Sequence, residues 1–182
     1  IPGADSQTLN EIYKALVING STKAAKVLGK QAKSVGYQYE PTHVADAYMQ
    51  LLTRLASNDP KWVGKAAKQL VKQQRPAIRC AALELLLKTS GSKATSEVLK
   101  ALKDKDVQYR NTALAMAEEC AGNGIFKAVS NQIDRLSVPA QIDVVRWLGN
   151  NKQQNFIEVV LKKMMSSNDE LSNAAIHAAS QI

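Results

Sequence analysis

Apolar residues recur every 31 positions through the last two-thirds of this chain, a register that a fold without internal repetition does not produce. Ala82, Ala113, Val144 and Ala175 form one column, and Leu83, Leu114, Val145 and Ile176 form the next. Three positions on stand Leu86, Ala117, Leu148 and Ala179. Earlier in the same units come Val63, Ala94, Ile125 and Phe156, then Ala67, Val98, Val129 and Val160, then Val71, Leu102, Ile133 and Met164. All 24 of these positions are apolar in a chain that is 45% hydrophobic, with no insertion between units. Self-similarity at this period marks a solenoid, in which each unit buries its apolar face only against its neighbours.

Within a unit the spacing is helical. Val63, Ala67 and Val71 stand four apart, and Ile78, Ala82, Leu83 and Leu86 make a second stripe. Each unit therefore predicts an outer A helix and an inner B helix joined by a tight turn. Asn58-Asp59-Pro60 supplies a cap and a first-turn proline, and Ser92 and Asn168 are candidate N-caps. Gly91, Gly122, Gly124 and Gly149 are expected between helices, where left-handed backbone is wanted. The first third follows the same grammar less strictly. Leu51, Leu52 and Leu55 sit 31 residues before Ala82, Leu83 and Leu86, and Leu9, Ile12, Tyr13 and Leu16 mark a lone helix upstream. The expectation is an all-α, right-handed α-α superhelix of about five helix pairs plus an extra N-terminal helix, eleven helices with no strand. It forms one array over 1–182, with the first helix at 6–18 and repeats at 20–57, 58–90, 91–121, 122–151 and 152–182.

The B helices carry a motif. Asp106-x-x-Tyr109-Arg110-x-x-Ala113-Leu114 resembles the short bacterial HEAT-like repeat of the armadillo type, whose signature is Asp, then Val and Arg three and four on, then Ala. Arg75-x-x-Ile78-Arg79-x-x-Ala82-Leu83 matches except at the Asp, while Ser137, Gln141 and Val144, and Asn168, Ser172 and Ala175, keep only the polar cap and apolar positions. The resemblance implies a ladder of Arg and Asp side chains linking neighbouring units, with Asp106 at ion-pair spacing before Arg110. Arg79 has Arg75 where the Asp belongs and is expected to find helix-end carbonyls instead. It also implies a binding module or scaffold, bacterial in type, since HEAT-like arrays mostly hold partners. Similar segments accompany a separate catalytic domain in some secreted sugar-processing enzymes.

The face of the B helices opposite the core should line a concave groove. Its columns read Glu84, Ala115, Arg146, His177, then Cys80, Asn111, Ile142, Asn173, then Ala81, Thr112, Asp143, Ala174. Small, polar and mixed in sign, this surface suits a peptide, a protein or another domain of the same chain better than a polyanion. Glu84, Asn111, Asp143, Arg146 and His177 are the candidate partner-binding residues. No nucleophile with an adjacent base and no carboxylate pair recurs there, so no catalytic residue, cofactor or metal site is expected. His43 and His177, the two histidines, lie far apart in the array. Cys80 and Cys120 fall in different columns, which excludes a disulfide framework. Trp147 is expected at the edge of the core stripe.

Charge supplies the alternative reading. The net charge of +8 is lopsided: residues 1–103 hold 16 Lys/Arg against 7 Asp/Glu, and 104–182 hold 8 against 9. Lys61, Lys65, Lys68 and Lys72 share one helical face, and Lys23, Lys26, Lys30 and Lys33 share another. Such stripes are what phosphate-backbone binding requires, although they lie on outer helices without interleaved aromatics. No apolar run reaches the length of a membrane span. Ile1 in place of Met, and an uncapped Ala-rich last helix, are read as the ends of a segment from a longer polypeptide. That would be a periplasmic or secreted one if a signal peptide had been removed.

Overall fold

The protein is described by a computed structural model over residues 3–182. Among these residues the chain is helical throughout, with twelve α-helices, three short 3-10 turns and no strand. It divides into two compact units, Ile1–Thr89 and Ser90–Ile182.

The first unit holds α1 (Ser6–Asn19), α2 (Thr22–Ser34), α3 (Val44–Leu55), α4 (Pro60–Leu70) and α5 (Pro76–Ser90). Asp5 caps α1 by accepting from the Thr8 N–H at 2.8 Å, and Ser21 caps α2 through Lys23. The helix α3 packs on both α1 and α2, which makes it the spine of this unit. Leu51 and Leu52 are fully buried, each worth about 1.5–3 kcal/mol in removed apolar surface. The lone helix α1 buries none of its residues completely, although Tyr13, Leu16 and Val17 lie against the core. Its C-terminus is secured by Arg54 of α3, which donates to the carbonyls of Val17 and Gly20.

The loop between α2 and α3 is the longest irregular stretch. Glu40 organises its exit: its carboxylate accepts from the Thr42 N–H and hydroxyl and from the Val44 N–H, capping α3. Burial works to raise the Glu40 carboxyl, and those three bonds outweigh it, so the group ends below its ordinary value.

The second unit begins with a 3-10 turn (Gly91–Lys93) and α6 (Ala94–Ala101). Then follow α7 (Val107–Ala115) and α8 (Ala117–Ala121), two parts of one inner helix interrupted at Met116. Next come α9 (Gly124–Ser130), a 3-10 turn (Ile133–Arg135) and α10 (Val138–Asn150). The unit closes with a 3-10 turn (Gln154–Phe156), α11 (Ile157–Met164) and α12 (Asp169–Gln181). The inner helices pack in sequence, α7 on α10 and α10 on α12, while outer α6 lies against α9 and α11 against α12. Ala113, Val144 and Ala175 are fully buried, as are Val98, Val129 and Val160.

Three boundary expectations need correction. Gly149 does not end a helix; it lies inside α10 with ordinary helical backbone. Its role is close approach, because a Cβ there would stand 2.8 Å from the Ala178 Cα of α12. Gly124 likewise starts α9 without a positive φ, whereas Gly91 and Gly122 do take φ of 51° and 70°. Ser92 sits within a 3-10 turn and caps nothing, while Asn168 caps α12 through the Leu171 N–H as expected. One core column also opens to solvent: Leu114 and Val145 are buried, but Ile176 is 50% exposed on the side of α12 away from α10 and α11.

Candidate functional site

One column of the 31-residue register does the same mechanical work in four chemistries. Arg79, Arg110, Gln141 and Ser172 each stand in the second turn of an inner helix, with the preceding A–B turn in reach. Arg79 Nε donates to the Val71 carbonyl at 3.2 Å, at the end of α4. Arg110 Nη1 donates to the carbonyls of Asp104 and Lys105 at 3.0 and 2.9 Å. Gln141 Nε2 donates to Leu136 O at 2.9 Å, and Ser172 Oγ donates to Met164 O at 2.7 Å. Val71 and Met164 stand at the ends of α4 and α11, where carbonyls lack an intrahelical partner, and Asp104, Lys105 and Leu136 lie in the turn that follows; in each case a donor from the next inner helix supplies the bond.

Arg110 does more. Its Nε donates to Asp143 Oδ2 at 2.6 Å, with the two residues 3% and 7% exposed. This buried ion pair runs from one unit of the register to the next, joining α7 to α10. Asp106 caps α7, its Oδ1 accepting from the N–H groups of Gln108 and Tyr109. A second link between units lies further on, with its carboxylate exposed to solvent. Lys163 Nζ donates to Asp134 Oδ1 at 2.5 Å and to Gln141 Oε1 at 2.7 Å, and Lys162 reaches the other Asp134 oxygen. Hydrogen bonds from Lys163 and then Lys162 hold the Asp134 carboxyl below its ordinary value.

On the inner-helix face of the second unit, a depression of about 340 Å³ is lined by Asn111, Asp143, Arg146, Trp147, Asn150 and Asn151, with Leu114 and Ala115. Asp143 forms part of its floor, and the Arg110 guanidinium already balances that carboxylate. Trp147 is buried with its ring stacked on Phe126 at 4.5 Å and an interplanar angle of 15°, so only an edge is presented. Arg146 is exposed, and no carboxylate among the described residues pairs with it. A second depression beside it, about 390 Å³, shares Arg146 and adds Glu170, Asn173, Ala174 and His177.

Of the five candidate binding residues, four lie in the second unit. Asn111, Asp143 and Arg146 converge on the first depression; Arg146 and His177 converge on the other. Asp143 lines the first depression but is buried and paired with Arg110, which leaves Arg146 as the unpaired charge there. Glu84 is exposed on α5 of the first unit and lines neither depression. Sequence reasoning missed Asn150 and Asn151, because neither occupies a groove column; Asn151 also donates to Trp147 O at 2.8 Å at the end of α10.

All eight lysines of the two stripes, Lys23, Lys26, Lys30 and Lys33 on α2, and Lys61, Lys65, Lys68 and Lys72 on and just after α4, are exposed. Among the described residues no group of three or more His, Cys, Asp or Glu could hold a metal ion. Among the described residues no helix is long and apolar enough to cross a membrane. Cys80 and Cys120 are half-buried thiols. No family model matches the chain, and the search of curated proteins found no match.

Proposed function

We propose that the units stack as a right-handed HEAT-like solenoid and that the protein is a non-catalytic interaction module, holding an extended peptide against the inner helices of the second unit. The observation that carries this reading is the first depression. Its polar side chains are three amides and one unpaired guanidinium, set beside Trp147, Leu114 and Ala115 and over a carboxylate that Arg110 neutralises. Amide side chains both donate and accept, which suits a peptide backbone whose groups alternate between the two. The repeated column of carbonyl-capping donors and the α7–α10–α12 packing support the solenoid.

The test is selection of binding peptides on the full chain, followed by amide shift mapping of the bound peptide. The expected footprint is Asn111, Arg146, Asn150 and His177. Arg146→Glu should weaken binding roughly tenfold or more, with the unfolding midpoint unchanged, because this side chain is exposed. Peptides that map elsewhere, or that bind Arg146→Glu equally well, would remove the reading.

The exposed lysine stripes favour a second reading, nucleic-acid binding through α2 and α4. It predicts duplex affinity independent of sequence that collapses as salt rises. A duplex that shows no binding even at low salt ends it.

A further inference from the structure

On the outer side of the second unit, the register that carries lysines in α4 changes character and opens a cavity. Ser92, Ser96, Leu99 and Lys103 take the places of Lys61, Lys65, Lys68 and Lys72. Two serines in place of two long side chains leave a space of about 480 Å³ between α6 and the turn Ile133–Arg135. Leu99 and Leu136 give it apolar walls, and Lys100, Lys103 and Arg135 bring three positive charges to it. No carboxylate lines it. Glu97 pairs with Lys100 at 3.2 Å, so one of the three charges is balanced. Lys103 and Arg135 have no carboxylate partner among the described residues; Arg135 Nη1 donates only to the Gln132 amide oxygen, at 3.4 Å.

The geometry points to a ligand site for a phosphate monoester carried on an apolar ring. Two unbalanced cations match a dianion, and the serine hydroxyls and the Gln132 amide add neutral donors around it. The leucine walls would hold the ring, and the volume lies in the range of small-ligand sites. The cavity shares no lining residue with either depression on the inner helices, so it stands independently of the peptide groove. A phosphorylated small molecule and a phosphotyrosine side chain share this chemistry.

The experiment is amide shift mapping of the full chain with phenyl phosphate and with a blocked phosphotyrosine tripeptide. Phenyl phosphate should shift Ser92, Ser96 and Arg135 with a Kd on the order of 1 mM or tighter. Phenol should not bind, and inorganic phosphate should bind more weakly than phenyl phosphate. Lys103→Gln and Arg135→Gln should each weaken it by about tenfold, while Lys127→Gln, an exposed lysine outside the cavity, should leave it unchanged. Affinity should fall as pH drops through about 6, where the phosphate loses its second charge. Tighter binding of the tripeptide would assign the source to a modified protein, and equal binding to a small molecule; either supports the site. The assignment is overturned if about 10 mM phenyl phosphate moves none of these amides. It is equally overturned if the Lys103→Gln/Arg135→Gln double variant binds as wild type, or if a DNA duplex displaces the ligand at low salt.

Discussion

Replacing Asp143 by alanine strands the Arg110 guanidinium inside the second unit. Nε loses its acceptor at 2.6 Å, while Nη1 keeps the carbonyls of Asp104 and Lys105. Breaking a buried pair by deleting one partner costs about 3–5 kcal/mol, because the remaining charge is uncompensated. The two retained carbonyl bonds solvate part of that charge, which places the expected loss near the lower end, about 3 kcal/mol. For a chain of this size that lowers the melting temperature by roughly 6–12 °C. Asp143→Asn retains an acceptor and replaces a charged bond by a neutral one, for a loss of about 1 kcal/mol. Arg110→Met combined with Asp143→Ala removes the stranded charge but frees two carbonyls. The double variant should therefore be less damaged than the sum of the singles by about 2 kcal/mol. Urea unfolding followed by far-UV circular dichroism and by tryptophan fluorescence measures wild type, Asp143→Ala, Asp143→Asn, Arg110→Met and the double variant. If Asp143→Ala loses less than about 1 kcal/mol, or if the two changes add, the pair does not hold α7 to α10 as argued.

Two other outcomes follow from single contacts. Gly149→Ala should destabilise by about 1–3 kcal/mol, since the new methyl meets backbone at 2.8 Å and α10 must move off α12. Gly64→Ala, whose Cβ would meet no backbone but only the Thr89 side chain, Oγ1 at 3.0 Å and Cβ at 3.6 Å, should be neutral or gain up to about 1 kcal/mol from helix propensity. Equal effects at the two glycines in thermal melts would contradict the close-approach account. Asp134 is depressed in the folded state, so its stabilising contribution is complete above its unfolded value of about 3.9 and disappears as pH falls through the lower folded value. The stability difference between wild type and Asp134→Asn should shrink below about pH 4, and a difference that grows there would reverse the sign of the argument.

The columns of apolar residues were legible because burial acts on each unit in the same way. Val98, Val129 and Val160 occupy equivalent positions and are equally hidden. Ile176 breaks the pattern: it is half exposed on α12, although Leu114 and Val145 of the same column are buried, because burial depends on what packs against each helix and not on the column alone. The glycines divide along the same line. Gly91 and Gly122 answer to local backbone geometry and were readable; Gly149 answers to Ala178, 29 residues away, and was not. Of the site, Asn111, Arg146 and His177 line depressions along α7, α10 and α12, but spacing could not say that Asp143 was spoken for by Arg110.

That commitment connects the fold to the groove. The column needs only a donor that can reach a carbonyl of the preceding helix end or turn, which is why Arg, Gln and Ser all serve and why the motif fades along the chain while the packing does not. Arg110 is the member with charge to spare after capping two carbonyls, and a buried guanidinium requires an anion. Asp143 supplies it from the next inner helix, and in doing so removes the one negative charge from the floor of the depression. Had Gln141-type chemistry stood at position 110, the Asp143 carboxylate would face Arg146 across that depression, and the two would be free to neutralise each other. The Arg110–Asp143 pair thus leaves Arg146 as the one unpaired charge lining the first depression, beside the amides of Asn111, Asn150 and Asn151.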